Sequence, residues 1–306
     1  MNSPFIAFHS LFCHPLPEGH RFPMVKYELL PQQLLREGIV ESHHFFQPQF
    51  VNEKDILAVH DANYWQKLKS LSLDKTEIRR MGFPLSQQLL NRELSIAQGS
   101  IDGAKIAMET GLAFNIAGGT HHAGSNWAEG FCLLNDQAIA AQYLLNHQYY
   151  DRILVIDLDV HQGNGTAEIF KNEKKVFTFS VHGENNFPFK KEVSDLDIGI
   201  KDGIYGEEYL KILEDSLAKV FEEFQPQFVF YQSGVDVLAS DKMGKLKLTI
   251  EDCEQRDFLV FSYCKKYKTP VQVSMGGGYS HEIKYIVDAH ANTYKMGIDL
   301  IMNDKN

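Results

Sequence analysis

Apolar residues along this chain fall into two alternating patterns. Segments 24–36, 85–110, 206–224 and 250–267 read as helices, and 24–36 shows the helical apolar spacing clearly. Segments 5–8, 112–117, 153–158, 176–182, 227–232 and 271–275 are short, nearly continuous apolar runs, the pattern of strands buried on both faces of a parallel sheet. Further helices are predicted over 55–71, with Asp61 as a candidate N-cap, and over 133–146, 166–172 and 280–302. Gly111 stops the longest helix. Residues 183–203 read as a loop. Strands that alternate with helices predict a three-layer α/β/α fold with a central, mainly parallel sheet. No repeat, linker or composition break interrupts residues 1–306, so one domain is expected.

One strand departs from the pattern at its end. Residues 153–164 read Ile-Leu-Val-Ile-Asp157-Leu-Asp159-Val-His161-Gln-Gly-Asn164. Alternate residues of a strand share a face, which puts Asp157, Asp159 and His161 together at the carboxyl edge, where open α/β sheets bind ligands. Carboxylates rarely sit there unless a cation neutralises them, which points to a divalent metal. The alternatives are a solvated strand end or an anion-binding loop built on Gly163 and Gly165.

Three other strands also end in chemistry. Gly118-Gly119-Thr120-His121-His122-Ala123 follows 112–117, Ser233-Gly234-Val235-Asp236 follows 227–232, and Gly276-Gly277-Gly278-Tyr279 follows 271–275. Parallel strands put these ends on one edge, so residues up to about 160 positions apart can share a site. Asp159, His161 and Asp236 then offer two carboxylates and an imidazole. Such a three-ligand set suits a catalytic zinc with an open position. Ferrous iron also fits, and octahedral magnesium fits less well. Taken alone, Asp236 reads as a turn residue after Gly234; beside the Asp-x-Asp-x-His strand it reads as a ligand. His121 and His122 could move a proton, with Asp157 orienting one ring; they could also simply pack a helix N-terminus. The Tyr279 hydroxyl could stabilise an oxyanion, or the ring could be a core aromatic after a glycine turn. No Walker lysine or G-x-G-x-x-G pattern supports phosphate binding.

Composition narrows the partners. The chain has 306 residues, 44% hydrophobic, with a net charge of −10 and no long basic run, so direct nucleic-acid binding is not expected. A basic peptide or a polyamine suits the net charge better. Cys13, Cys132, Cys253 and Cys264 show no C-x-x-C spacing and read as reduced thiols. No charged leader with a long apolar core starts the chain and no apolar run is long enough to span a bilayer, so a cytoplasmic protein is expected.

On these residues the chain resembles the zinc-dependent histone deacetylase family, of arginase/deacetylase fold. The resemblance runs nearly end to end: His-Pro-Leu-Pro-Glu-Gly-His-Arg at 14–21, Thr120-His121-His122-Ala123, Glu129-Gly130-Phe131-Cys-Leu-Leu-Asn-Asp136, the 157–165 segment, Ser233-Gly-Val-Asp236 and the glycines before Tyr279. Gln162-Gly163-Asn164 and residues 17–24 look most like the class IV branch and its bacterial relatives. The resemblance implies zinc held by Asp159, His161 and Asp236, with His122 as general base and acid and His121 as its electrostatic partner. Tyr279 would polarise the amide carbonyl. Asp157 would support His121 and, with Asp159, His161, Ser180 and Val181, form a structural potassium site. Gly130, Phe131, Gly278 and Phe187 would line an acyl-lysine tunnel, and Arg21 an internal cavity behind the zinc.

The activity implied is removal of acyl groups, acetyl or longer, from lysine side chains of proteins or peptides. The class IV likeness and the apolar Phe131, Leu133, Leu134 and Phe187 lean toward medium or long chains, whereas Arg21 in an inner cavity would suit a short carboxylate product. Alternatives are an acetylpolyamine or other small-molecule deacetylase, and a non-catalytic binding module on the same fold. A two-manganese ureohydrolase would need more aspartates, yet Asp236 is followed by Val237 and Leu238, and position 164 is Asn. Many family members carry Asp at that position, and an amide cannot stabilise an imidazolium as a carboxylate does.

Overall fold

The computed structural model describes residues 3–303. Its strands are β1 (Ile6–Ala7), β2 (Phe45–Phe46), β3 (Leu112–Asn115), β4 (Ile153–Asp157), β5 (Val176–Gly183), β6 (Leu196–Ile200), β7 (Phe228–Gln232) and β8 (Val271–Ser274). They form one sheet in the order β2-β1-β3-β8-β7-β4-β5-β6, and every neighbouring pair is parallel. Every residue of β3, β4, β7 and β8 is buried, as the continuous apolar runs require.

Among the described residues ten α-helices accompany the strands: α1 (Lys26–Arg36), α2 (Glu53–Leu57), α3 (Ala62–Lys69), α4 (Lys75–Met81), α5 (Gln87–Thr110), α6 (Asp136–Asn146), α7 (Asn164–Phe170), α8 (Gly206–Phe224), α9 (Ile250–Tyr267) and α10 (Ile283–Gly297). The alternation along β3 shows how they divide. A Cβ on Gly103 of α5 would come within 3.8 Å of the Ala113 side chain, whereas one on Gly297 of α10 would meet the side chains of Phe114 and Leu112 at 3.0 and 3.3 Å. Neighbouring strand residues point to opposite faces, so α5 and α10 cover opposite sides of the sheet. Helix α6 packs on α5, while α8, α9, α10 and α1 form a second contiguous layer. Among the described residues no helix is long and apolar enough to cross a membrane.

The structure revises several boundaries. The helix expected over 55–71 is two helices, because Asp61 caps α3 by accepting the N–H groups of Asn63 and Tyr64. Leu133 and Leu134 precede α6, which starts after the Asn135 cap. Helix α7 begins two residues earlier than expected, at Asn164, and α10 starts only at Ile283 and ends in a π turn over Ile298–Met302. Helix α4 was not foreseen, although Asp74 and Glu77 form a reciprocal capping box at its start. Strand β6 lies in the segment read as loop. It is the sheet edge and alternates half-buried with exposed residues, so it lacks the apolar run of a central strand.

Candidate metal centre and catalytic cleft

The four strands that end in chemistry are neighbours, β3-β8-β7-β4, at the middle of the sheet. Their carboxyl-end loops therefore lie side by side and are tied together. Gly276 N–H donates to Gly118 O, Val235 N–H to Gly277 O, and Leu158 N–H to Gln232 O. Arg256 of α9, fully buried and paired with Asp257, donates to the carbonyls of Leu158, Ser233 and Gly234 behind these loops.

Asp159, His161 and Asp236 converge, with one ligand atom from each lying within 4.8 Å of the others. His161 Nδ1 is 3.0 Å from Asp159 Oδ1 and 3.0 Å from Asp236 Oδ2. A tetrahedral zinc with bonds of ~2.0 Å has ligand atoms about 3.3 Å apart, so the donor set and its size both fit. The other carboxylate oxygens are held from behind. Gly277 N–H donates to Asp159 Oδ2 at 2.7 Å and Val160 N–H to Asp236 Oδ1 at 2.9 Å. A Cβ on Gly277 would meet Asp236 Oδ2 at 2.1 Å, which explains why the backbone there must be glycine. Burial alone would lower the His161 pKa, but hydrogen bonds accepted by Asp159 and Asp236 outweigh it and push it up to about 10. Burial and the Asp159 charge push Asp236 up to about 7. The trio thus retains a proton where a divalent cation would neutralise both carboxylates.

The histidine pair is set by one buried carboxylate. Gly119 and Thr120 N–H groups donate to Asp136 Oδ1 at 2.9 and 2.8 Å, turning the loop so that both following rings enter the cleft. His121 Nδ1 lies 2.7 Å from Asp157 Oδ2, and His122 Nδ1 lies 2.6 Å from Asn164 Oδ1. Burial opposes charge on His121, but Asp157 overcomes it and raises the pKa to about 9. Burial, then the charges of His121 and His161, hold His122 well below the usual histidine range. At neutral pH the pair is one imidazolium and one neutral ring. Asp157 also pairs in register with Ser180 of β5, and Ser180 and Val181 are buried beside it.

An outer pocket of about 450 Å³ leads down to this cluster, lined by Gly130, Phe131, Phe187, His122, His161 and Tyr279 among others. Phe187 meets the His122 ring edge-on at 5.0 Å. Phe131 adopts φ +70°, a strained conformation for a bulky residue, and is pinned there by its N–H bond to Met81 O at 2.7 Å. Beyond the waist lies a cavity of only about 30 Å³, walled by Phe22, Tyr27, Arg92, Cys132 and Gly276. Tyr279 borders both spaces. Burial, with Asp159 and Asp236 nearby, raises its phenol pKa well above the ordinary value, so the hydroxyl keeps its proton.

Two sequence expectations move. Arg21 does not line the inner cavity. It is exposed at the outer mouth, its guanidinium 5.1 Å from the Phe131 ring centroid, because residues 14–23 run over the surface before α1. The buried cations at the inner end are Arg92 and Lys26, whose Nζ donates to Gly276 O at 3.1 Å and lies 5.3 Å from the Tyr279 ring centroid. Lys26 sits on the apolar stripe of α1 with Leu30 and Leu34, which was a readable signal. Gly278 borders neither space and packs against Val235 and Ile286. Also missed were Glu129, which accepts from the Asn164 amide, and Asp241, which accepts the Tyr279 N–H at 2.6 Å.

A histone deacetylase domain model matches residues 20–294. The chain belongs to the histone deacetylase family. It is 40% identical to an uncharacterised protein of Picosynechococcus sp., over 96% of this chain and 98% of that one. It is 29% identical to histone deacetylase 2 of Arabidopsis thaliana (91% of this chain, 75% of that protein) and 29% identical to histone deacetylase 1 of Homo sapiens (86% and 58%). In fold it is similar to an HDAC homolog from Aquifex aeolicus, with TM-score 0.83 and 24% identity over 97% of this chain and 84% of that one. An HDAC homolog complexed with SAHA gives TM-score 0.82 and 25% identity, over 98% and 84%. Family members thus surround this chain in both sequence and architecture.

Proposed function

We propose that the whole chain is one catalytic unit, a zinc-dependent amidohydrolase that removes short acyl groups from lysine side chains of proteins or peptides. The observation that carries this reading is the buried Asp159–His161–Asp236 cluster at the foot of an open pocket, with His122 and Tyr279 beside it. Zinc, when bound, supplies Lewis acidity to the scissile carbonyl and to water. His122 is neutral, and its Nδ1–H is committed to Asn164, so Nε2 is the free acceptor for a water proton. The same atom returns the proton to the departing lysine amine. His121, charged through Asp157, adds positive potential next to the carbonyl oxygen as negative charge grows. The protonated Tyr279 hydroxyl donates to that oxygen. Phe131 and Phe187 enclose the lysine methylenes and exclude water.

The inner cavity favours acetyl over long chains. About 30 Å³ is two to three times the ~10–15 Å³ that one water needs, room for a small acyl group but too little for an octanoyl tail. Buried Lys26 at that end suits a small carboxylate product, while Arg92 beside it is already paired with Glu93. Asp157 with Ser180 and Val181 is the proposed seat of a structural potassium ion. The Gln162-Gly163-Asn164 sequence is the ground for placing the chain near the class IV branch, and a cytoplasmic site of action accords with its four free thiols.

The test is a comparison of kcat/KM for acetyl-, octanoyl- and dodecanoyl-lysine in one peptide, with zinc counted by elemental analysis. One zinc per chain and an acetyl preference are expected. No turnover of any acyl-lysine would overturn the proposal. A preference for octanoyl would overturn the short-chain part alone.

A further inference from the structure

The mouth of the outer pocket carries charge opposite to that of the protein. The chain has a net charge of −10, yet the residues lining this pocket include Arg21, Arg80 and Lys245 and no carboxylate. The three cations are not equally neutralised. Arg21 has no carboxylate partner among the described residues and stacks on Phe131 at the pocket waist. Arg80 pairs with Glu129 at 2.8 Å, but the carboxylate lies beneath, its side chain 14% exposed against 45% for Arg80, and it also accepts from Asn164. The guanidinium is therefore the group presented to solvent. Lys245 donates to Asn185 O at 3.0 Å and lies 3.6 Å from Asp202, which is outside the pocket lining. Phe189, 90% exposed, lines the same pocket.

We infer that the mouth selects acylated lysines flanked by acidic residues, and disfavours acylated polyamines and lysines in basic segments. This inference rests on the deacylase reading above. An extended peptide advances about 3.3 Å per residue, so the three residues on either side of the lysine lie within ~10 Å of it, over the rim. Carboxylates there meet Arg21, Arg80 and Lys245. An acylpolyamine would bring its ammonium groups to the same place and meet like charge. The net acidity of the chain works the other way at long range, but charges beyond about 8–10 Å are screened at physiological salt, and the rim acts at contact.

The experiment uses four substrates with the full-length zinc-loaded protein: one acetyl-lysine peptide with Glu, Gln or Lys at the flanking positions, and acetylspermidine. Exposed ion pairs each change affinity about 2–5-fold, so the Glu peptide should exceed the Lys peptide by roughly tenfold in kcat/KM at low salt. That ratio should fall toward one at ~0.5 M salt. Arg21→Glu should lower it by roughly tenfold through KM, and Lys245→Glu should lower it as well. Binding of fluorescein-labelled Glu and Lys peptides, read by anisotropy, repeats the comparison without turnover. Equal binding of the two peptides, or a preference for the Lys peptide or acetylspermidine, overturns the inference while leaving the deacylase reading intact. Glu-selective binding without hydrolysis of any substrate supports the rim and overturns the deacylase reading.

Discussion

The Nδ1 of His122 lies 2.6 Å from the amide oxygen of Asn164, not from a carboxylate. The other face of that amide donates to Glu129 at 2.9 Å. An Asp at position 164 would put two carboxylates in contact, so Glu129 and Asn164 are chemically matched.

A carboxylate at 164 should change the pH profile. It would stabilise the protonated His122 ring, raise its pKa and leave the base protonated to higher pH. Asn164→Asp combined with Glu129→Gln should move the acid limb of kcat/KM upward by about 1–2 pH units. The measurement is kcat/KM from pH 5 to 9, and an unmoved acid limb would mean His122 is not the base.

Removing a ligand should empty the metal site. Asp236→Ala deletes one of three converging groups and a negative charge. Zinc content by elemental analysis and turnover should fall together. Full zinc occupancy in the variant would exclude Asp236 from the site.

Tyr279→Phe removes one hydroxyl and almost no volume. Stabilisation of an oxyanion predicts a loss of roughly 10²–10³ in kcat with little change in peptide affinity. An unchanged kcat would make Tyr279 a packing residue held by Phe22 and Lys26.

Gly130 sits at φ +55°, and a Cβ there would approach the His122 ring carbon Cδ2 to 2.5 Å. Gly130→Ala should displace that ring and cost up to about 10²-fold in kcat while zinc content stays full. Wild-type kinetics in this variant would show that the loop gives way instead.

His60 links stability to pH. Its ring is fully buried, Nδ1 lies 3.0 Å from Gly124 O, and Nε2 accepts the Asn135 N–H at 3.0 Å. Burial lowers its pKa to about 4, against ~6.5 in an unfolded chain. The unfolded state therefore binds the extra proton between these values. Stability from this group is fully present above about pH 6.5 and is lost as pH falls to about 4, with a slope of at most ~1.4 kcal/mol per pH unit. Urea unfolding at pH 7, 6, 5 and 4.5 should show a shallower slope for His60→Gln. Equal slopes would place the acid sensitivity elsewhere.

Period and punctuation in the chain determined the central strands, the long helices and the edge at which function lies. A strand buried on both faces must be apolar throughout, so Asp157, Asp159 and His161 stood out as soon as the run of Ile153–Ile156 ended. The glycines before Tyr279 and His121 were legible for the same local reason, as turns at strand ends. What tertiary structure alone decided lies between distant segments. The adjacency β3-β8-β7-β4 sets which loops meet. The opposed protonation of His121 and His122 depends on Asp157 beside one ring and on burial and the like charges of His121 and His161 around the other. The family resemblance implied Arg21 in the inner cavity, whereas packing left it at the rim and buried Lys26 and Arg92 instead. A side chain's type is local, but its burial and its charged neighbours are set by contacts between residues tens to hundreds of positions apart.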